Sequence, residues 1–354
     1  MNAVEQVLAL VRPEILALAP YSSARKESKG GRVWLDANEN PETPSVHQPL
    51  LNRYPEPQPA DLIAILATLY GIAPAQALVT RGSDEGIDLL LRTFCRAGQD
   101  AILITPPTYG MYVVAAGIQN ARVVSVPLVR KTNFALDADA VLRAVTPEVK
   151  IVFLCSPNNP TGNLLDRAAV LRIVRALAGK AIVAVDEAYV DFSGVPSLAA
   201  EIAANPNLIV LRTLSKAFGL AGARVGTTIA DPAVIAVLQK VIAPYPVPAP
   251  VLQAALAALT PSGLAAARES VAMIVAERTR LAAALAKLPA VKRVWPSDAN
   301  YILIEVADSA RVMAAGRTAG IIWRDRSKDV PNTIRITVGT AEENNSTLEV
   351  LSRV

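Results

Sequence analysis

The stretch "NLIVLRTLSKAFGLAGARVG" occupies residues 207–226 and joins an apolar run to a single lysine and a segment of small residues. The run from Asn207 to Leu211 predicts a buried strand, because it is continuously apolar and short. Lys216 follows the end of that strand, and Arg224 comes eight residues later. Mostly Gly and Ala lie between them and cannot cover an ammonium group. Lys216 is therefore a candidate site residue at the carboxyl end of a strand.

Similar apolar runs recur on both sides of this stretch and predict the fold class. Helical patterns such as "DEGIDLLLRTFCR" and "DRAAVLRIVRALAG" lie between most of them. This alternation predicts an α/β domain with a mostly parallel sheet sandwiched by helices, in which ligands bind at the carboxyl ends of strands. The predicted strands are "DAILITPP" (100–107), "ARVVSVPL" (121–128), "VKIVFLCSP" (149–157), "AIVAVDE" (181–187), "NLIVLRT" (207–213) and "RVGTTIA" (224–230).

The composition of the sequence changes near residue 245, where "APYPVPAP" (243–250) carries four prolines. An Ala-rich helical pattern and the strand-like "VKRVWPSDANYILIEV" and "NTIRITVG" follow. We predict a large domain at 46–245 and a smaller α+β domain at 246–354. Residues 1–45 should form a helix and an arm that pack with the smaller domain.

Composition excludes several classes of function. The 354 residues carry 35 Lys and Arg against 31 Asp and Glu, without a run of like charge, so we expect no nucleic-acid partner. No uncharged apolar stretch is long enough to predict a membrane span. The two cysteines are too few for a disulfide framework and favour the cytoplasm. The one histidine, His47, lies in a proline-rich loop, so we expect neither a multi-histidine metal site nor a serine–histidine triad.

Four further motifs follow predicted strand ends. Asp186 and Tyr189 lie in "AIVAVDEAYVDF", where an ionised carboxylate requires a cation unless it caps the next helix. "CSPNNPTG" forms a rigid turn that can present Asn159. "VTRGSDEG" opens a helix near Ser83 and Asp84, a typical anion site, although a capped helix without a ligand gives the same pattern. "PPTYGMY" presents Tyr109 either as a flat face in a site or as a packed surface tyrosine.

Together these residues favour one ligand, pyridoxal phosphate. It carries a phosphate, a ring nitrogen that binds a carboxylate, a phenolic oxygen and a carbonyl that reacts with a lysine.

The motifs "SPNNPTG", "VDEAYVDF" and "TLSKAFGLAGARVG", in this order, resemble those of the fold type I pyridoxal-phosphate-dependent aminotransferases. The histidinol-phosphate aminotransferase subfamily is the most similar, since "LDANENP", "RYPEPQ", "RGSDEGIDLL", "KTNFALD" and "RITVGT" also match. The resemblance covers nearly the whole chain.

The resemblance implies a role for each matching residue. Lys216 would bind the cofactor covalently and move the substrate proton, Asp186 would pair with the ring nitrogen, and Tyr189 and Asn159 would bind the ring oxygen. Tyr109 would stack on the ring. Tyr54 would reach the site of a neighbouring subunit, which implies a homodimer. The phosphate would be surrounded by Ser83, Asp84, Thr213, Ser215 and Arg224.

The resemblance also implies the substrates: L-histidinol phosphate and 2-oxoglutarate, converted to imidazole acetol phosphate and L-glutamate in histidine biosynthesis. Arg335 matches a position that binds an acidic group, and Arg324 matches a second basic position or is a surface arginine. Tyr21 and Asn38 are expected at the same end, with Asn159. The alternatives are a related aromatic aminotransferase or a threonine-phosphate decarboxylase with the same cofactor residues. A regulator that senses the cofactor would need a DNA-binding module, and none is visible in the sequence.

Overall fold

The apolar runs form a seven-stranded sheet in the computed structural model, which describes residues 1–19, 35–42 and 51–354. The strand order is β1–β7–β6–β5–β4–β2–β3, and only β7 is antiparallel to its neighbours. The predicted mostly parallel α/β sheet is therefore confirmed. The strands are β1 (Ala77–Arg81), β2 (Ala101–Ile104), β3 (Arg122–Ser125), β4 (Val149–Cys155), β5 (Ile182–Asp186), β6 (Leu208–Thr213) and β7 (Val225–Ile229).

Helices cover both faces of this sheet, which explains why its central strands are apolar throughout. In β4, Ile151 and Phe153 face one buried cluster, whereas Val152 and Leu154 face the other. Several helices begin at an aspartate that accepts a backbone N–H, as Asp166 does from Ala169. The α-helices are Ala60–Tyr70, Ser83–Phe94, Met111–Ile118, Ala138–Ala144, Arg167–Ala176 and Pro232–Val241; 3-10 turns are Pro74–Gln76, Arg130–Thr132, Val190–Phe192, Leu198–Ala204 and Ala221–Ala223.

A second sheet of four antiparallel strands lies in the C-terminal part of the chain, in the order β10–β11–β9–β8. The strands are β8 (Val291–Val294), β9 (Tyr301–Val306), β10 (Arg324–Asp325) and β11 (Thr333–Thr337), and the helices are Pro261–Leu285, Ser309–Thr318 and Ala341–Ser352. Their apolar residues form a separate cluster around Ile302 and Ile304. Strand β10 was not predicted, because two exposed residues carry no hydrophobic period.

Two segments pack differently from the sequence prediction. Helices Ala3–Leu8 and Pro13–Leu16 contact helix Pro232–Val241, and Val7 joins a cluster of the large sheet. The described part of residues 1–45 thus includes helices on the large sheet rather than on the smaller unit, because their apolar side chains pack with that cluster. Helix Ala249–Ala258 likewise contributes Ala255 to a cluster of the large sheet's helices. The domain limits at 45 and 245 stay a prediction.

Among the described residues, no single helix is both long and apolar enough to cross a membrane. Helices Ala249–Ala258 and Pro261–Leu285 reach that length and composition only as a pair, bent by 71° at the break between them.

Candidate active site

A cavity of about 540 Å³ lies at the carboxyl ends of β4, β5 and β6 and is closed on one side by the second sheet. Its position follows from the fold, since ligands of parallel sheets bind at this edge. The side chains that line it include Ser83, Asp84, Tyr109, Cys155, Asn159, Asp186, Tyr189, Thr213, Ser215, Lys216, Arg224, Arg324, Arg326 and Arg335.

Lys216 lies just beyond the end of β6 and extends into this cavity. Its Nζ lies 5.7 Å from the ring centroid of Tyr189. Partial burial and then the positive charge of Arg335 lower the pKa of Lys216. Within the described part of the chain, its ammonium makes no hydrogen bond or ion pair, so it is available to a ligand.

Asp186 is the last residue of β5 and is 2% exposed. Its Oδ2 accepts the hydroxyl of Tyr112 at 2.9 Å, and its Oδ1 accepts the N–H of Ala188 at 3.1 Å. Burial raises the pKa of Asp186 to about 6, against these two hydrogen bonds, which lower it. Asp186 has no ion-pair partner among residues 1–19, 35–42 and 51–354, and a buried carboxylate of this kind is suited to a cationic ligand group.

Asn159 and Tyr189 form a hydrogen-bonded pair in the lining of the cavity. The Asn159 amide donates to the Tyr189 hydroxyl at 3.2 Å, and Arg335 Nη1 donates to Asn159 Oδ1 at 2.5 Å. Arg335 therefore links the second sheet to the turn after β4. Burial raises the pKa of Tyr189, so its hydroxyl stays protonated and can donate to a ligand oxygen.

An anion cradle forms around the start of helix Ser83–Phe94. Within the part of the chain that the structure describes, no side chain caps this helix, and Gly82 precedes it with φ 75°. The positive φ of Gly82 favours glycine, and a Cβ there would lie 2.5 Å from Nη2 of Arg224 and displace that side chain. Arg224 in turn reaches Ser215 Oγ at 3.4 Å and Asp84 Oδ2 at 3.1 Å.

The residues of this cradle combine free helix N–H groups, hydroxyls and a guanidinium, which is the donor set that binds a phosphate. Thr213 belongs to it through its hydroxyl, which donates to Ser215 Oγ at 2.9 Å.

Tyr109 bounds the cavity between the cradle and Asp186. Its hydroxyl donates to Asp84 Oδ1 at 3.0 Å, and its ring meets Tyr112 edge-on at 5.7 Å. Burial raises the pKa of Tyr109, so it stays a neutral donor. A hydrogen-bonded hydroxyl holds the ring in place as one wall of the cavity.

Three arginines of the second sheet line the far end of the cavity: Arg324, Arg326 and Arg335. Arg324 lies opposite Arg335 in the pairing of β10 with β11. Arg326 forms an ion pair with Asp329 at 2.9 Å, but no acidic partner of Arg324 or Arg335 lies within the described ranges. The uncompensated charge of this end suits an anionic group of a ligand.

Sequence reasoning missed two residues of this region, Arg326 in the lining of the cavity and Tyr112 behind Asp186. Arg326 stands two positions after Arg324 in "RDRSK", and strand alternation would have placed both on one face. Tyr112 carries no such signal, because its role depends on a contact with a residue 74 positions away.

The structure does not bring every predicted residue to this cavity. Tyr54 is 51% exposed, stacks on Tyr245 at 4.6 Å, and lines a different cavity together with Asn38. Tyr21 and His47 lie outside the described residues.

The arrangement suits a flat ligand with an anionic group at the Gly82 end, a basic nitrogen at Asp186 and a carbonyl near Lys216. In comparison with known proteins, the sequence model of the aminotransferase class I and II family matches residues 30–351 of this chain. Histidinol-phosphate aminotransferase of Stenotrophomonas maltophilia (strain R551-3) is 48% identical over 99% of this chain and 98% of its own.

Two further proteins are similar. Histidinol-phosphate aminotransferase of Xylella fastidiosa (strain 9a5c) is 46% identical over 98% of this chain and 96% of its own. The crystal structure of histidinol-phosphate aminotransferase from Sinorhizobium meliloti in complex with pyridoxal-5'-phosphate has a TM-score of 0.75 and 25% identity, covering 85% of this chain and 82% of that one.

Proposed function

Because this chain belongs to the aminotransferase class I and II family, we propose that it transfers the amino group of L-histidinol phosphate to 2-oxoglutarate, with pyridoxal phosphate as cofactor. The products are imidazole acetol phosphate and L-glutamate, a step of histidine biosynthesis. Identity of 46–48% to histidinol-phosphate aminotransferases over almost the whole chain supports this substrate. The observation that carries the proposal is the presence of two anion-binding ends on either side of Lys216.

The residues present fit pyridoxal phosphate. Gly82 lets the Arg224 guanidinium lie against the start of helix Ser83–Phe94, and Arg224 and Ser215 supply donors for a phosphate. Asp186 offers a buried carboxylate that favours a protonated ring nitrogen. Tyr189 and Asn159 supply donors for the phenolic oxygen. When bound to Lys216, this cofactor supplies an electron-withdrawing ring that stabilises negative charge on the substrate carbon.

The chain's own groups then have separate tasks. Lys216 Nζ, once free, takes and returns the proton of the substrate carbon, and its lowered pKa makes the neutral amine accessible. Asp186 holds the ring nitrogen protonated. Tyr109 keeps one face of the ring away from water.

The arginine end gives substrate selectivity. Arg324 and Arg335 offer guanidinium groups to the phosphate of one substrate and to a carboxylate of the other. Arg326 adds a third positive group to the same end, and its ion pair with Asp329 fixes its position. Asn38 and Tyr21 stay predictions for this end.

We further propose that the protein is a homodimer with shared sites, in which Tyr54 of one subunit completes the site of the other. The exposure of Tyr54 and its distinct cavity support this arrangement, since the residue does not line the cavity of its own Lys216. The two buried free cysteines are compatible with the proposed cytoplasmic location.

The test is the visible absorption spectrum of the protein with pyridoxal phosphate. We expect a yellow band that bleaches with L-histidinol phosphate and returns with 2-oxoglutarate. L-Histidinol, which lacks the phosphate, is the matched control and should bleach the band far more weakly at the same concentration. A band that changes with neither amine would mean that the substrate is another amine. Release of carbon dioxide from added threonine phosphate, which carries a carboxylate, would favour the decarboxylase. A protein that takes up no pyridoxal phosphate would contradict the proposal.

A further inference from the structure

Tyr112 is a fully buried tyrosine beside the proposed cofactor site, although it does not line the cavity. It lies in the first turn of helix Met111–Ile118 and stacks on Phe153 of β4, with ring centroids 4.7 Å apart and planes inclined by 9°. Its hydroxyl donates to Asp186 Oδ2 at 2.9 Å. The stack fixes the ring, so the hydroxyl lies at the ends of β5 and β4, between Asp186 and the Cys155 thiol.

We propose that Tyr112 is a positioning residue that orients Asp186 and keeps its carboxylate ionised toward the ring nitrogen of the cofactor. The inference rests on the proposed function, because it assigns a role to a residue behind that site. Asp186 is held from two sides: Ala188 N–H binds Oδ1 and Tyr112 binds Oδ2. With both oxygens anchored, the carboxylate plane cannot rotate away from the cavity.

The charged groups around Asp186 explain why a hydrogen bond from Tyr112 is needed to keep its carboxylate ionised. Burial raises the pKa of Asp186, and Asp84 and Glu187 raise it further, whereas the Tyr112 hydroxyl and the Ala188 N–H lower it. Lys216 is the nearby cation on the cavity side. The Cys155 thiol is fully buried, and its pKa is raised, so it stays neutral.

The chemistry of the donor suits this task. Burial and Asp186 raise the pKa of Tyr112 well above its ordinary value, so the phenol stays protonated over the whole working range. A histidine in its place could take the proton from Asp186, whereas a neutral phenol is not basic enough to be protonated and donates its own hydrogen to the carboxylate. Tyr112 therefore stabilises the anion and leaves the acidic proton for the cofactor.

The experiment measures binding of pyridoxamine phosphate to the cofactor-free, full-length protein as a function of pH. This probe lacks the aldehyde, so Lys216 chemistry does not enter. Binding brings a basic nitrogen to Asp186, so affinity should fall as pH drops below the pKa of Asp186. In Tyr112→Phe, which keeps the stack on Phe153, we expect an affinity about tenfold lower near neutral pH and a midpoint higher by about one pH unit.

Two variants complete the test. Tyr70→Phe removes another buried hydroxyl, one without a hydrogen-bond partner among the described residues, and should leave affinity and midpoint unchanged. In an Asp186→Asn background, Tyr112→Phe should have no further effect on the pH dependence, because the residue acts through Asp186.

The outcomes separate the two claims. A wild-type protein that binds pyridoxamine phosphate, together with a Tyr112→Phe variant of unchanged midpoint, would overturn the inference alone. If the wild type binds no pyridoxamine phosphate, the proposed function fails and the inference fails with it. Should Tyr112→Phe not fold, Tyr112→Met also lacks the hydroxyl and must raise the midpoint in the same direction; an unmoved midpoint in that variant is the overturning result.

Discussion

Lys216 is the residue on which the proposed chemistry depends most directly. Lys216→Ala should lower kcat by at least about 100-fold, since the group moves the substrate proton as well as binding the cofactor. Its side chain extends into the cavity and makes no hydrogen bond within the described residues, so the unfolding temperature should change little.

The matched variant for this position is Lys216→Arg. It keeps the positive charge but cannot act as a neutral amine. Steady-state turnover and the absorption spectrum of both variants test the assignment. Turnover near the wild-type rate in either variant would exclude Lys216 as the proton-transfer group.

Asp186 should make the cofactor-free protein less stable above neutral pH. Its pKa is about 6 in the folded chain against a usual value of 3.8, so the folded state holds the proton more tightly than the unfolded state. Stability from this group is therefore complete below about pH 4 and is lost as pH rises toward about 6. A difference of this size corresponds to about 3 kcal/mol at most.

Asp186→Asn should accordingly stabilise the cofactor-free protein above this window and have no such effect below it. An asparagine can accept from Ala188 and donate to Tyr112, so the local hydrogen bonds survive. Urea unfolding at both ends of the pH range tests the sign. Equal free energies of unfolding for the two proteins at high pH would mean that Asp186 is not destabilising there.

Sequence reasoning at the residue scale worked where a side chain follows a strand end. Lys216, Asp186 and Asn159 line one cavity, because the parallel strands that precede them end at one edge. Arg224 reaches the same cavity because it precedes β7, which runs antiparallel to β6. It failed for Tyr112, which acts from a helix on the far side of Asp186. Such a role depends on a three-dimensional contact that no period or motif encodes.

At the scale of elements, the close packing of β7 against the start of helix Ser83–Phe94 should depend on Gly226. A Cβ at Gly226 would clash with the backbone of Gly82 and Ser83, and neither backbone atom can move without displacing the anion cradle. Gly226→Ala should lower the affinity for pyridoxal phosphate more than about tenfold and cost about 1–3 kcal/mol of stability.

Gly222→Ala is the control for that variant, because it lies in the nearby turn Ala221–Ala223 and its Cβ would meet no atom within 4 Å. Fluorescence titration with pyridoxal phosphate compares the two. If both alanine variants bind the cofactor as the wild type does, close packing at Gly226 is not what shapes the cradle.

Arg212 joins two elements beneath the site. It is 5% exposed, contacts Glu187 at 3.4 Å and Asp191 at 2.6 Å, and lies over the ring of Tyr70 at 4.7 Å. Arg212→Leu would leave two acidic groups without their cation, so we expect a loss of about 3–5 kcal/mol in urea unfolding.

Arg167→Leu is its control, since the pair of Arg167 with Glu201 is partly exposed and should contribute less than about 1 kcal/mol. Similar losses of unfolding free energy in the two variants would mean that the buried ion pairs of Arg212 stabilise the fold no more than an exposed pair does.

Hydrophobic runs predicted the strands of the large sheet, because both of its faces are buried and the signal is continuous. The packing of helix Ala3–Leu8 was not predictable in this way. An amphipathic helix shows that it has an apolar face, but not which of two units will cover it.

At the scale of the whole molecule, the two sheets meet at the cavity. Arg335 of β11 binds Asn159 of the turn after β4, so the proposed anion-binding end of the second sheet lies beside the proposed cofactor groups of the first. A site divided in this way couples binding at the arginine end to the geometry around Lys216.

The proposed shared site gives the final prediction. If Tyr54 serves the neighbouring subunit, Tyr54→Ala and Lys216→Ala homodimers should both have low activity. Mixing them after mild dissociation should restore activity, because a hybrid dimer has one site with an intact lysine and an intact tyrosine. With random reassociation, about a quarter of wild-type activity is expected.

The control mixes Lys216→Ala with Asp186→Asn. Both changes lie in one cavity of one chain, and a hybrid of these two contains no complete site. Activity assays of the mixtures, beside the mass in solution, distinguish the arrangements. If activity does not recover in the Tyr54 mixture although subunits exchange, Tyr54 contributes to the site of its own chain. A monomeric mass in solution would contradict the shared site altogether.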